Sequence, residues 1–136
     1  MRILIDTNLW VRALISERTR ERLTIVIGNP KIQILGSHEL LEEIRDVANR
    51  PRLQKFLTAL DVAQFLEMLA QRLDLVSPTS EVQICRDPND DYLLAICKDF
   101  SADYLVTEDE DLLVLNPFEG TQVIHWVDFE LIISPS

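Results

Sequence analysis

Four acidic residues of this 136-residue chain stand at places where carboxylates can do chemistry. Asp6 ends the apolar run Ile3-Leu4-Ile5, and Asp109 ends the comparable run Tyr104-Leu105-Val106 two residues after Thr107. Asp91, preceded by Asp90, opens a helical pattern after Asp87-Pro88, and Glu43 lies within SHELLEEIRDVANRP. Both runs are apolar on their two faces, as strands buried between helix layers are, so each acid would sit at the carboxyl edge of a parallel sheet. Ligands of open α/β sheets bind at that edge. Carboxylates gathered there repel one another unless protons or a cation compensate. Oxygen ligands without a neighbouring Cys or His favour a hard cation, Mg²⁺ or Mn²⁺. One or two such ions activate water and clamp a phosphodiester, paired ions standing about 3.5 to 4 Å apart.

Each acid also has an ordinary structural use. Asp6-Thr7-Asn8 can start a helix, and Asp87 with Pro88 makes an N-cap followed by proline at the first helical position, which puts Asp90 and Asp91 in the opening turn. Helix N-termini tolerate acids well. Capping accounts for one or two of these aspartates and leaves the convergence of four acids from separate elements unexplained.

The elements that must position them follow from periodicity. Leu9, Trp10, Ala13 and Leu14 recur at helical spacing and predict a first helix over Leu9 to Ile15. Arg18 to Arg22 reads as polar and exposed, Leu23 to Ile27 as a further turn or two of helix, and Gly28-Asn29-Pro30 as a stop. Lys31 to Leu35 is the second predicted strand. Ser37 caps the next helix, whose buried stripe is Leu40, Leu41, Ile44, Val47 and Ala48, and Pro51 forbids its continuation. At about 100° per residue Glu43 lies about 100° from the centre of that stripe, whereas Glu39, Glu42 and Asp46 lie about 140° to 160° away. Glu43 is therefore the acid of this helix most nearly facing inward.

Leu53 to Leu73 predicts a helical region with Phe56, Leu57, Leu60, Phe65, Leu66 and Leu69 in the core and Asp61 capping its second segment. Leu75-Val76 gives a third strand. Leu93 to Cys97 is apolar almost all round and marks a buried helix, Tyr104 to Val106 a fourth strand, Leu112 to Leu115 a helical turn and Val123-Ile124 a fifth strand. Trp126 to Ile133 closes the sheet as an amphipathic segment. These elements amount to one α/β domain, residues 1–136, with a central parallel sheet of about five strands flanked by helices on both faces.

At 47% hydrophobic the chain can bury one sizeable core. No apolar run approaches membrane-spanning length, and Asp6 interrupts the opening run before it could resemble a signal peptide, so a cytoplasmic protein without a membrane partner is expected. Cys85 and Cys97 lack metal-ligand spacing and read as buried free thiols. The net charge of −10 disfavours nucleic acid, but its distribution is uneven. Residues 1–55 hold 10 Lys plus Arg against 7 Asp plus Glu, giving +3, and residues 56–136 hold 3 against 16, giving −13. The basic half could meet an RNA or DNA backbone while the acidic constellation holds metal.

The opening ILIDTN, the middle SHELLEEIRDVANRP and above all DPNDDYLLAICKDFSADYLVTEDEDLL resemble the PIN-domain ribonucleases, in the subgroup of toxins from toxin–antitoxin pairs. The last segment is the most specific, because it joins an acid-led helix to an Ala-Asp-hydrophobic-Thr-x-Asp strand end. The resemblance covers nearly the whole chain. It implies a PIN-like domain in which Asp6, Glu43, Asp91 and Asp109 surround Mg²⁺ or Mn²⁺, with Thr7, Asn8, Thr107 and Asp90 in support. It also implies endoribonuclease activity on RNA, an antitoxin partner and a homodimer. Asp91 is preferred to Asp90 because the family pattern runs acid, two residues, Leu, Ala, as in Asp91-Tyr92-Leu93-Leu94-Ala95. Glu108 departs from a common glycine, and Ile44 from a common leucine.

Two other functions fit the same residues. A noncatalytic PIN-like module could bind RNA or protein and use the acids for a structural cation. A phosphoaspartate protein could use Asp6 as nucleophile, although the Asp-x-Asp opening that suits this chemistry is absent.

Overall fold

A computed structural model describes residues 1–134. Five strands, β1 (Arg2–Ile5), β2 (Gln33–Gly36), β3 (Asp74–Leu75), β4 (Tyr104–Val106) and β5 (Gln122–Ile124), form one sheet in the order β3-β2-β1-β4-β5, and every adjacent pair is parallel. Seven helices connect or follow them: α1 (Thr7–Ile15), α2 (Glu17–Ile27), α3 (His38–Ala48), α4 (Ala59–Arg72), α5 (Asp91–Phe100), α6 (Glu110–Leu113) and α7 (Trp126–Ile133). The expected parallel sheet is present, with Ile3, Leu4, Ile5, Leu105 and Val106 fully buried at its centre.

The strand order determines where a ligand can enter. From β1 the chain crosses outward to β2 and β3, then returns past β1 to β4 and β5. Right-handed crossovers send α1 to α4 to one face of the sheet and α5 and α6 to the other. The helices that follow β1 and β4 thus leave their neighbouring strand ends in opposite directions, which opens a crevice between them at the carboxyl edge. Asp6 and Thr107 are the residues immediately after those two strands.

Side-chain caps set several boundaries. Ser16 Oγ accepts from the Thr19 N–H, so α2 begins at Glu17 and runs unbroken through the segment expected to be polar and exposed. Arg20 donates to the carbonyls of Ala13 and Leu14 and ties α2 to the end of α1. Ser37 caps α3 as its sequence position predicts, its Oγ accepting from the Leu40 N–H.

The Leu53 to Leu73 region is divided. A single 3₁₀ turn at Pro51–Leu53 precedes α4, and Thr58 and Asp61 form a capping box at the start of α4. Asp61 therefore stands three residues inside the cap. Phe56 and Leu60, expected in the core, are exposed because this break turns them outward, while Leu57 and Leu69 are buried.

Candidate active site

Asp6 occupies the N-cap position of α1 but makes no side-chain capping bond there. Its Oδ2 instead accepts from the Thr107 hydroxyl at 2.7 Å, across from β1 to the end of β4. Thr107 Oγ1 also accepts from the Asp109 N–H at 3.0 Å. One buried hydroxyl thus joins two acids that lie 103 positions apart in the sequence. Asp6 is only 4% exposed. Burial pushes its carboxyl above the ordinary value; hydrogen bonding to Thr107 and to the Thr7 backbone opposes this, and the charges of Glu43 and Asp109 add to it. Asp109 is half-buried and its Oδ1 accepts from the Asp111 N–H, capping the short α6.

Glu43 is half-buried on α3, the inward-leaning acid that the helical spacing singles out. Its Oε2 accepts from the Tyr92 hydroxyl at 2.8 Å. Tyr92 is a residue that sequence reasoning passed over: in Asp91-Tyr92-Leu93 it reads as one more apolar position of α5, and only the tertiary fold brings its hydroxyl to an acid 49 positions away.

The Asp90-Asp91 pair spans a change of helix geometry. Asp87 caps a single 3₁₀ turn, Pro88–Asp90, through the Asn89 N–H, and α5 begins only at Asp91. The change from 3₁₀ to α winding sends the two neighbouring carboxylates different ways. Asp91 Oδ1 accepts from the N–H groups of Ile84 and Cys85 at 3.2 and 2.9 Å, and these bonds hold its carboxyl below the ordinary value. Asp90 is pushed up to about 7, first by burial and then by the charges of Asp6, Glu43, Asp87 and Asp109. Asp90 lines the same cleft as Glu43, whereas Asp91, the preferred member of the expected quartet, lines the neighbouring cavity. The leucine-alanine pattern locates the helix but not the turn that precedes it.

An acidic cleft of about 500 Å³ lies here, lined by Glu42, Glu43, Asp46, Arg50, Asp87 and Asp90. A second cavity of about 530 Å³ lies beyond Tyr92, among Pro78, Ser80, Val82, Cys85, Asp91 and Ala95. The acidic cleft is the one that adjoins the chemistry, since it contains Glu43 and Asp90. Burial raises the Cys85 and Cys97 thiols to about 12, which leaves both as weak nucleophiles.

A protein-family model described as a PIN domain matches residues 2–111. The chain belongs to the PIN domain family. PIN domains are generally nucleases and typically use a divalent metal. Among solved structures, "VapBC2 from Rickettsia felis bound to a DNA fragment from their promoter" contains a chain 16% identical to this PIN domain, with a TM-score of 0.61, covering 93% of this chain and 99% of that one. At that identity the likeness is one of fold. No curated protein matches the sequence.

The donor set of this PIN domain fits a hard divalent cation. Among the described residues no three Asp, Glu, His or Cys side chains stand together at direct-ligand spacing. Mg²⁺ commonly keeps several waters and takes only one or two protein carboxylates, so ligation by part of the quartet, with the rest acting through water, matches the spread of these acids. Mutual repulsion at Asp6 and Asp90 gives the cation a reason to bind.

Glu108, expected as a departure from the resemblance, is turned aside to His125 Nδ1 at 2.7 Å, a contact between the ends of β4 and β5. Its backbone does not need glycine: among the described non-glycine residues only Ser101 and Glu119 have positive φ. Thr7 is buried beside the quartet, and Asn8 is exposed.

Proposed function

We propose that this PIN domain is an endoribonuclease dependent on Mg²⁺ or Mn²⁺, acting as the toxin of a toxin–antitoxin pair. The observation that carries the proposal is the common field of Asp6, Glu43, Asp90 and Asp109 beside the crevice between the ends of β1 and β4. Asp91 and Asp99 are each held by two backbone N–H groups, whereas among the described residues no cationic side chain forms an ion pair with any of the four. When bound, the metal would supply an activated water and neutralise charge on the scissile phosphate.

The chain's own residues have separable parts in this reaction. Thr107 orients Asp6, and the Asp109 carboxylate is steadied by the start of α6. Asp6, Glu43, Asp90 and Asp109 hold the cation directly or through water, in place of the Asp6, Glu43, Asp91 and Asp109 set drawn from the sequence. The burial of Asp6 and Thr107 keeps bulk water from that side of the centre.

The antitoxin partner rests on the fold shared with the VapBC2 complex, and the homodimer on family resemblance. Exposed Ile25, Val127 and Leu131 on α2 and α7 supply apolar surface of the kind protein partners cover. No helix among the described residues is long and apolar enough to cross a membrane.

The deciding experiment is cleavage of a mixed single-stranded RNA pool with and without Mn²⁺, comparing wild type with Asp6→Asn. Cleavage that requires Mn²⁺ and Asp6 supports the nuclease. Metal binding without cleavage would favour the noncatalytic module instead.

A further inference from the structure

The Tyr92 side chain separates two cavities, the acidic cleft and the pocket beyond it, and its hydroxyl donates to Glu43 Oε2 at 2.8 Å. Beside it lies Thr7, whose hydroxyl is buried and lacks a hydrogen bond of good geometry although it stands close to the phenol. Asp6 and Glu43 are thus each supported by a hydroxyl carried on a different element, Thr107 after β4 and Tyr92 on α5. Of the acids in the quartet, Glu43 has the longest side chain. A carboxylate at the end of a three-torsion chain must be fixed by something, and Tyr92 is the side chain that bonds it.

We infer that Tyr92 is a positioning residue, which fixes the Glu43 carboxylate toward the cation site by donating its phenolic hydrogen bond. The inference rests on the nuclease reading above, since it concerns the same cation. An outer hydrogen-bond donor of this kind orients a carboxylate and occupies one of its acceptor sites, leaving the other oxygen for the metal or its water. The ring has a second task as the partition between the two cavities, which phenylalanine would preserve. The hydroxyl and the ring can therefore be tested separately.

The experiment measures Mn²⁺ binding by calorimetry on the full chain without RNA, alongside kcat and KM for RNA cleavage. The variants are Tyr92→Phe, Glu43→Gln, the double variant, and Asp6→Asn. Removing an outer-sphere donor typically costs about 10- to 100-fold in metal affinity or activity, so Tyr92→Phe is expected to weaken Mn²⁺ binding about 10-fold or more and to lower kcat with KM nearly unchanged. In the Glu43→Gln background the same substitution should cost nothing further, because the carboxylate it serves is gone. A purely structural tyrosine would cost the same in both backgrounds, and that result would overturn the inference. So would wild-type Mn²⁺ affinity and kcat in Tyr92→Phe. If Asp6→Asn loses Mn²⁺ binding while Tyr92→Phe keeps it, the positioning role alone fails. If wild type binds no Mn²⁺, the nuclease reading and the inference fall together.

Discussion

At the amino end of the sheet Asp103 accepts from the Arg2 N–H, the Arg2 guanidinium reaches Gln33 and the Phe100 carbonyl, and Gln33 in turn donates to Asp74. Toward the carboxyl end of the same strands stand Asp6, Glu43, Asp90 and Asp109, and Asp6 and Asp90 are shifted upward by burial and by the charges of their acidic neighbours. The amino end meets water, where its polar residues are exposed and joined by hydrogen bonds. At the carboxyl end, burial and the neighbouring carboxylates make Asp6 and Asp90 harder to ionise. Acids at the first end serve the fold, whereas Asp6 and Asp90 at the second are held against their own preference, which a bound cation would relieve.

The largest expected effect separates neighbours. Asp6→Asn or Asp90→Asn should abolish RNA cleavage with the fold intact, whereas Asp91→Asn should keep most activity and lose up to about 1 kcal/mol of stability, because a neutral amide oxygen accepts more weakly than a carboxylate from the Ile84 and Cys85 N–H groups. Cleavage assays and urea melts on all three variants check this. Loss of activity in Asp91→Asn with full activity in Asp90→Asn would return the site to the reading drawn from the sequence.

Next in size is Thr107→Val. It removes the donor to Asp6 and the acceptor for the Asp109 N–H from a fully buried position, at a cost of about 1 to 3 kcal/mol in stability. Activity should fall about 10- to 100-fold, and Thr107→Ser should restore both. A valine variant as active as wild type would detach the hydroxyl from the site.

Metal should then distinguish the two ends. A cation that binds only the folded chain stabilises it by about 2.7 kcal/mol at 100 times Kd. Asp90→Asn should raise the Tm of the metal-free protein and shrink the rise given by Mn²⁺. Asp103→Asn, at the amino end, should leave that rise unchanged. Equal responses from both variants would erase the contrast.

The smallest effect is on pH dependence. Asp90 has a folded value of about 7 against 3.8 for the free group, so the folded state binds more protons than the unfolded one between those limits. Its contribution to stability is therefore lost as pH rises from about 4 to about 7, and the metal-free chain should melt higher at pH 5 than at pH 8. His125, raised by its bond to Glu108, acts in the same direction above its free value of 6.5. Asp61, Asp91 and Asp99 are lowered, so their stabilisation is lost only as pH falls below about 4. Comparing Asp90→Asn with wild type isolates the first of these: the variant should show a flatter Tm between pH 5 and pH 7.

The apolar runs were sufficient to read the five strands, because a strand buried on both faces leaves no alternation to confuse with a hairpin. Glu43 was legible from its angle to the α3 stripe, and Asp6 and Asp109 from their places after strands. Tyr92 was not, since a hydrogen bond between residues 49 positions apart leaves no local pattern. Asp90 was obscured by a one-turn 3₁₀ segment that periodicity does not resolve, and Phe56 and Leu60 by the break before α4.

The connection that leads from β3 toward α5 is fastened by two carboxylates of α5 itself. Asp99 accepts from the N–H groups of Thr79 and Ser80, and Asp91 from those of Ile84 and Cys85. Between the two fastenings only Val82 packs against the core, so residues added beside the exposed Glu81 or Gln83 would bulge outward without disturbing either end. Between Asp87 and Asp91 the length is fixed. One residue added there would swing the Asp90 carboxylate by about 120° around the axis of the 3₁₀ turn and out of the cleft. Drift in sequence length can accumulate in the first stretch, and the second must be inherited residue for residue.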